Sequence, residues 1–298
     1  MVTKSFHTVF LDWLRFSVPL EISNSELLPP HETFDATGEI LKSYPNYTQT
    51  IALLAGRIDW NEERPEQRKL VTLTGEDLLT MRRAGVDDDK LAKWIDANED
   101  LNVPRLDIAV DTRNAALTPA KFYAAWQQGK LSTKARKITR VQGRTEDQRA
   151  AGYTVYVGSR QSEKFLRIYD KNAEQKAKGK EVDLPDELWT RIEIELKGGM
   201  AVNALRHIAQ HGISSAGWVI AQFCDWAGNA VWQDLKSGNI APDLSVGRKE
   251  TDHETWLRKV VFPNFEKALR TGNDRALRIV AEHAERAKLA LSEKRGDN

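Results

Sequence analysis

The sequence predicts an α+β protein, with a mostly antiparallel sheet body, flanking helices and a helical C-terminal unit. Three observations carry that expectation. Runs alternating apolar and polar residues recur up to Lys197, helical spacings with acidic first turns sit among them, and after Gly198-Gly199 the period of two gives way to helical spacing.

The elements follow in order. "HTVFLDWLRFSV" reads as a first strand, and "YTQTIALLAGRIDW" as a hairpin turning at Ala55-Gly56. "RKLVTLTG" is a strand closed by Gly75. "EDLLTMRRAG" and "DDDKLAKWIDANE" have helical spacing, with acids where the helix dipole favours them. "VPRLDIAVDT" returns to strand alternation, and "TPAKFYAAWQQGK" is a helix with Thr118 as N-cap and Pro119 at its first position. Four strands follow: "ARKITRVQGR", "GYTVYVGS", "KFLRIYDK" and "WTRIEIELK". Between the last two, "NAEQKAKGKEVDLPDE" reads as a polar, mobile connection. From residue 201 onward the chain reads as helical, with Trp218, Trp226 and Trp232 as core or dimer contacts. The expected division is a catalytic body over 1–200 and a helical region over 201–298.

Composition narrows the function. The chain has 298 residues and a formal net charge of +1, so any surface for a polyanion must be a local patch. One cysteine, Cys224, excludes an internal disulfide and a cysteine metal cluster, and reads as a buried, inert thiol. The first residues lack the apolar core of a signal peptide, and no run approaches the ~18 apolar residues of a membrane span. The expectation is a cytoplasmic bacterial protein with no membrane partner.

The chemistry concentrates on three strands. Strand parity puts Arg105, Asp107, Ala109 and Asp111 on one face of "RLDIAVD". It likewise groups Arg191, Glu193, Glu195 and Lys197, and, in "KFLRIYDK", Phe165, Arg167, Tyr169 and Lys171. If these strands are neighbours, about 4.8 Å apart, their polar faces assemble one pocket. Clustered carboxylates repel unless a cation neutralises them, and hard oxygen donors suit Mg²⁺ or Mn²⁺. Arginines add phosphate contacts, and a tyrosine hydroxyl becomes a nucleophile when its proton is removed. Set against this, any one such strand alone is an ordinary solvated sheet face.

These residues resemble the replication initiation factor family of rolling-circle plasmids and filamentous phages, which includes some conjugative-element relaxases. The matching blocks are "DWLRFSV", "VTLTGEDLL", "RLDIAVD", "TVYVGSRQSEKFLRIYDKNAEQ" and "RIEIELKG", spanning residues 10–200. The resemblance implies that Tyr169 attacks a DNA phosphodiester and stays joined to the 5′ phosphate, with Arg167 and Lys171 beside it. It also implies that Asp107 and Glu193, with Asp111 and Glu195, hold the metal. Its expected partners are origin DNA (single-stranded or an extruded hairpin), a host helicase and polymerase, and a second copy of the chain. The chain has no His-hydrophobic-His triplet and no helix-turn-helix ahead of the blocks, which favours a replication protein over a relaxase. A hydrolytic metal nuclease and a non-enzymatic DNA-binding regulator are the competing readings.

Further basic residues are candidates for DNA contact. "KARKITRVQGR" contains no acid and offers Arg136, Lys137 and Arg140; the turn "GSRQSEK" offers Arg160 and Lys164; Arg105 and Arg191 lie within the pocket strands. A solvated edge strand and a plain hairpin loop are the bland alternatives. His207 and His211 are four residues apart, but no glutamate follows the first, and the pair is assigned to surface and helix-end roles.

Overall fold

The computed structural model describes residues 7–21, 36, 37, 39, 41–64, 67–144, 150–180, 188–236 and 240–245. The part of the helical reading that falls on residues 246–298 lies outside the described residues. Eleven strands and seven α-helices alternate along the described chain. They are β1 His7–Val18, β2 Gln49–Ala52, β3 Arg57–Trp60, β4 Lys69–Leu73, α1 Gly75–Arg83, α2 Asp88–Asp96, β5 Asn102–Thr112, α3 Pro119–Gln127 and β6 Ser132–Thr133. Then come β7 Ile138–Arg144, β8 Ala150–Gly158, β9 Lys164–Asp170, α4 Lys171–Ala177, β10 Thr190–Lys197, α5 Gly199–His211, α6 Ala216–Ala221, β11 Cys224–Asp225 and α7 Ala230–Asp234.

Nine strands form one sheet in the order β2-β3-β4-β1-β5-β10-β9-β8-β7, with every neighbouring pair antiparallel. The three strands singled out by their alternation are thus adjacent at its centre. Their apolar parity, with Leu106, Ile108, Val110, Leu166, Ile168, Ile192, Ile194 and Leu196, is buried. Over these strands α3 packs on β8 and β9, α5 on β5 and β10, and α6 on β1, β5 and β10. Burying that side of the sheet supplies the main driving force of the fold.

Local signals place the ends. Thr74 and Asp77 form a reciprocal capping box at the start of α1, Asp87 caps α2, and Thr118 caps α3 ahead of Pro119. The hairpin turn at Gly56 requires glycine: its φ is +106°, and a Cβ there would meet Leu73 Cδ2 at 2.5 Å.

Several expectations are corrected. The polar connection after β9 begins as helix α4, because Asp170 accepts a hydrogen bond from the Ala173 N–H and caps it. The basic strand starts at Ile138, and Ser132–Thr133 pairs instead with Cys224–Asp225 inside the stretch read as wholly helical. The compact unit runs from Met1 to Ser245, so it passes through residue 200, where α5 lies against β5 and α2. His207 is buried rather than on the surface, and His211 is exposed. Trp226 and Trp232 are buried around Phe122, at ring distances of 5.6 and 5.7 Å. Cys224 is buried, which pushes its thiol up to about 12.

Candidate active site on the polar face of the sheet

Register sets the site. On the face away from the core, Asp111, Arg191 and Tyr169 stand in one row across β5, β10 and β9. Ala109, Glu193 and Arg167 form the next row, and Asp107, Glu195 and Phe165 the third. A cleft of about 840 Å³ opens over the first two rows, bounded by α1, α4 and β1.

Arg191 organises the first row. Its Nε and one terminal nitrogen bind Asp111 at 2.7 and 2.8 Å, and the other terminal nitrogen binds Asp12 Oδ1 at 2.9 Å. Burial opposes its charge, but the hydrogen bonds to Asp111 and the charges of Asp111 and Asp12 outweigh that and raise its pKa. Glu193, 1% exposed, takes Arg167 on one oxygen and accepts the Tyr169 hydroxyl on the other at 3.3 Å. The half-buried phenol is pushed up to about 12, chiefly by burial, against the pull of Arg191.

Lys171 opens α4 two residues beyond the phenol. It is buried, pairs with Glu174 at 2.7 Å, and sits 5.6 Å from the Tyr169 ring centre. Burial, then the charge of Arg191, lowers its pKa. Burial would raise Glu174, but hydrogen bonds from Lys171 and Lys178 hold it at about 2. In the third row Arg105 binds both oxygens of Asp107, at 2.8 and 2.7 Å, and reaches Glu195 at 3.1 Å, while Lys197 takes the other Glu195 oxygen at 2.8 Å. Burial raises the Asp107 carboxyl despite Arg105.

Tyr169, Arg167, Lys171, Asp107, Asp111, Glu193, Glu195, Arg105 and Arg191 therefore converge on one face. The charge balance differs from the expectation. Each of the four acids anticipated as metal ligands is engaged by a guanidinium or ammonium group of the same face. Among the described residues no three His, Cys, Asp or Glu side chains are arranged to hold an ion. As arranged, with every acid already paired, the set does not fit a divalent cation.

The remaining basic candidates scatter. Arg160 stands at the rim of this face, its guanidinium 5.5 Å from the Phe165 ring and 6.0 Å from that of Tyr156. Lys164 points to the other side, over Phe223 at 5.3 Å. Arg140 is also on the helix-covered side, against Tyr123 of α3. Arg136 and Lys137 are exposed in the segment leading into β7. Tyr156 shares the site's face opposite Arg167 and stacks on Phe165, whereas Tyr153 lies with Arg140.

Two participants escape strict alternation. Glu174 arrives on α4. Asp12 arrives through a β-bulge, since Leu11 pairs with Ile108 and Trp13 with Asp107, leaving Asp12 as the extra residue. The bulge is fastened at the cleft wall: Asp88 accepts the Leu11 N–H at 3.0 Å, and Arg82 donates to the Leu11 carbonyl at 3.2 Å and to Asp88 at 2.8 Å. Gly75 makes room, for a Cβ there would stand 3.0 Å from Asp12 Oδ1. The signal was present in the sequence: apolar positions run Val9, Leu11 and then Leu14, Phe16, Val18, a change of phase at Asp12.

Residues 101–235 match the model of a family described as replication initiation factor. No curated protein matches the sequence. Among solved structures, the chain is similar to the rolling circle replication initiator protein from Geobacillus stearothermophilus, with a TM-score of 0.60 and 16% identity over 79% of this chain and 93% of that one. Strands β5, β9 and β10, which build the cleft, all fall inside the matched segment. Over residues 101–235 the chain is thus similar to replication initiation factors, and its fold is that of a rolling-circle initiator.

Proposed function

We propose that the protein initiates rolling-circle replication by nicking and rejoining origin DNA, with Tyr169 as the nucleophile. The observation that carries this reading is the Tyr169 hydroxyl donating to the buried Glu193 carboxylate at 3.3 Å, between Arg167 and Arg191. A phenol held near 12 does not ionise by itself at neutral pH, so it needs a base in contact. Glu193 accepts its proton as the phenolic oxygen attacks phosphorus. Arg167 and Arg191 face the charge that grows on the phosphoryl oxygens, a contribution of about 10²–10³ in rate for a well-placed donor. The bond from phosphorus to the 3′ oxygen breaks, and that oxygen leaves with a proton from Lys171. The products are a 5′-phosphotyrosine and a 3′ hydroxyl that primes a polymerase; the reverse attack rejoins the strand. In this reading the cleft residues of 1–200 carry the chemistry, and a helicase, a polymerase and a second copy are the partners.

The test uses an oligonucleotide from the replicon's single-stranded origin, labelled at its 3′ end, with Mg²⁺ or Mn²⁺ and in parallel with chelator. The wild-type chain should form a denaturant-stable labelled adduct. Tyr169→Phe should bind the DNA and form none. Cutting without any adduct would overturn the reading in favour of hydrolysis, and an adduct in Tyr169→Phe would move the nucleophile, with Tyr156 next in line. The chelated arm reports whether a metal takes part.

A further inference from the structure

The most uneven charge distribution in the chain lies outside the cleft. Between Arg113 and Thr145 there are eight lysines and arginines and no aspartate or glutamate, in a chain whose net charge is +1. This segment folds as α3, β6 and the sheet's edge strand β7, along one flank of the molecule. Lys121, Lys130, Lys134, Arg136, Lys137 and Arg140 are all exposed, and among the described residues none of them forms an ion pair.

Aromatic rings are interleaved with these charges. The Arg140 guanidinium lies between Tyr123 and Tyr153, 5.3 and 5.7 Å from their ring centres. Trp126, one turn of α3 beyond Tyr123, is 5.5 Å from it and 36% exposed. Cations with no acid partner suit phosphates, because they exchange water and counterions for them without breaking an ion pair. Exposed aromatic and arginine planes suit bases whose faces are uncovered, which a duplex does not offer.

Resting on the reading of DNA as the substrate, we propose that the α3–β7 flank is a second, non-catalytic binding site for single-stranded DNA. It holds the strand that leaves the cleft. The path runs to the sheet edge and around it: β8 presents Thr154 and Tyr156 to the cleft, β7 is the next and last strand, about two strand spacings, ~10 Å, separate Tyr169 from the edge, and Arg140 and α3 lie on the helix-covered side beyond it. Lys137 and Arg160 border that crossing. The cleft then performs the chemistry, and the flank keeps hold of the strand.

The experiment measures binding in the full chain carrying Tyr169→Phe, so that cleavage does not enter. Two fluorescent single-stranded oligonucleotides are compared, one just spanning the nick and one extended beyond it. Adding Trp126→Ala or Arg140→Ala should weaken the extended strand about tenfold, the loss of one stacked base. Arg140→Ala should also reduce the salt slope by about one phosphate contact. The short strand should bind unchanged, and Trp126→Ala in the otherwise wild-type chain should leave the adduct yield on it unchanged. Equal losses on both lengths, no loss on either, or tighter binding of a duplex than of the extended strand would overturn the proposal. If the wild-type chain forms no adduct but the length-dependent loss persists, the flank stands and the nicking reading falls.

Discussion

Arginine does two different jobs on the two regions just described. On the polar face of the sheet, Arg105, Arg167 and Arg191 each clamp a carboxylate, and the acids they hold at Asp107 and Glu193 are about 99% buried. On the flank, Arg136 and Arg140 are solvated, with no acid partner among the described residues. A buried pair gives up hydration on both sides and returns geometry more than stability. A solvated lone charge fixes nothing in the fold and stays available to a phosphate. Pairing, rather than residue type, separates arginines fixed in place beside the phenol from arginines free to follow a strand.

The contrast is tested most severely at Arg167. Arg167→Met strands the buried Glu193 carboxylate without its guanidinium and should cost about 3–5 kcal/mol in denaturant unfolding. Arg140→Met should change stability by no more than about 0.5 kcal/mol. Equal costs at the two sites would erase the distinction.

A smaller effect is expected at the bulge that brings in Asp12. Asp88→Ala leaves the buried Leu11 N–H without its acceptor, at a cost of about 1–3 kcal/mol. It also frees the bulge that delivers Asp12 to Arg191. Adduct formation should slow while DNA affinity is kept, and Asp88→Asn, which still offers an oxygen to Leu11, should recover part of the rate. Loss of affinity in step with rate would instead mean a general loosening of the sheet.

The mildest test is pH. The Glu174 carboxyl is held at about 2 against an ordinary value near 4.5, so the stability it confers is full above about pH 4.5 and is lost as pH falls through 2. Tyr169 works in the opposite sense: keeping its phenol neutral contributes fully below pH 10, and that contribution is lost as pH rises through about 12. Unfolding curves of Glu174→Gln and Tyr169→Phe should each flatten at their own end of the scale, whereas Arg140→Ala should leave both ends unaltered.

Much of the site was legible because strand parity is a strict rule. Once "RLDIAVD", "FLRIYDK" and "RIEIELK" are strands, their polar residues share a face wherever the strands meet. Asp12 was lost to the same rule, since strict alternation continues through a bulge that only pairing reveals. On β7, Ile138, Arg140 and Gln142 share one parity. Which side they face is decided by Val155 and Val157 of β8, both in the core, and so puts Arg140 away from the cleft. Helix α4 has no apolar stripe to announce it and depends on the Asp170 cap. Strands β6 and β11, of two residues each, are too short for any period to show. The metal-ligand reading counted the acids without their partners: the arginines counted as phosphate ligands are the groups that pair with those acids in this structure.

The position of β9 has a mechanical consequence. It is an interior strand, bonded to β10 on one side and β8 on the other, and Tyr169 lies near its end, just before α4. A motor pulling on DNA joined to the phenol would load both ladders. Where the pull runs along the strand, their hydrogen bonds share the force at once, because they lie across the strand direction. An edge strand would peel, giving way one bond at a time. On the proposed chemistry, Tyr169 would thus anchor the DNA where the sheet is hardest to tear.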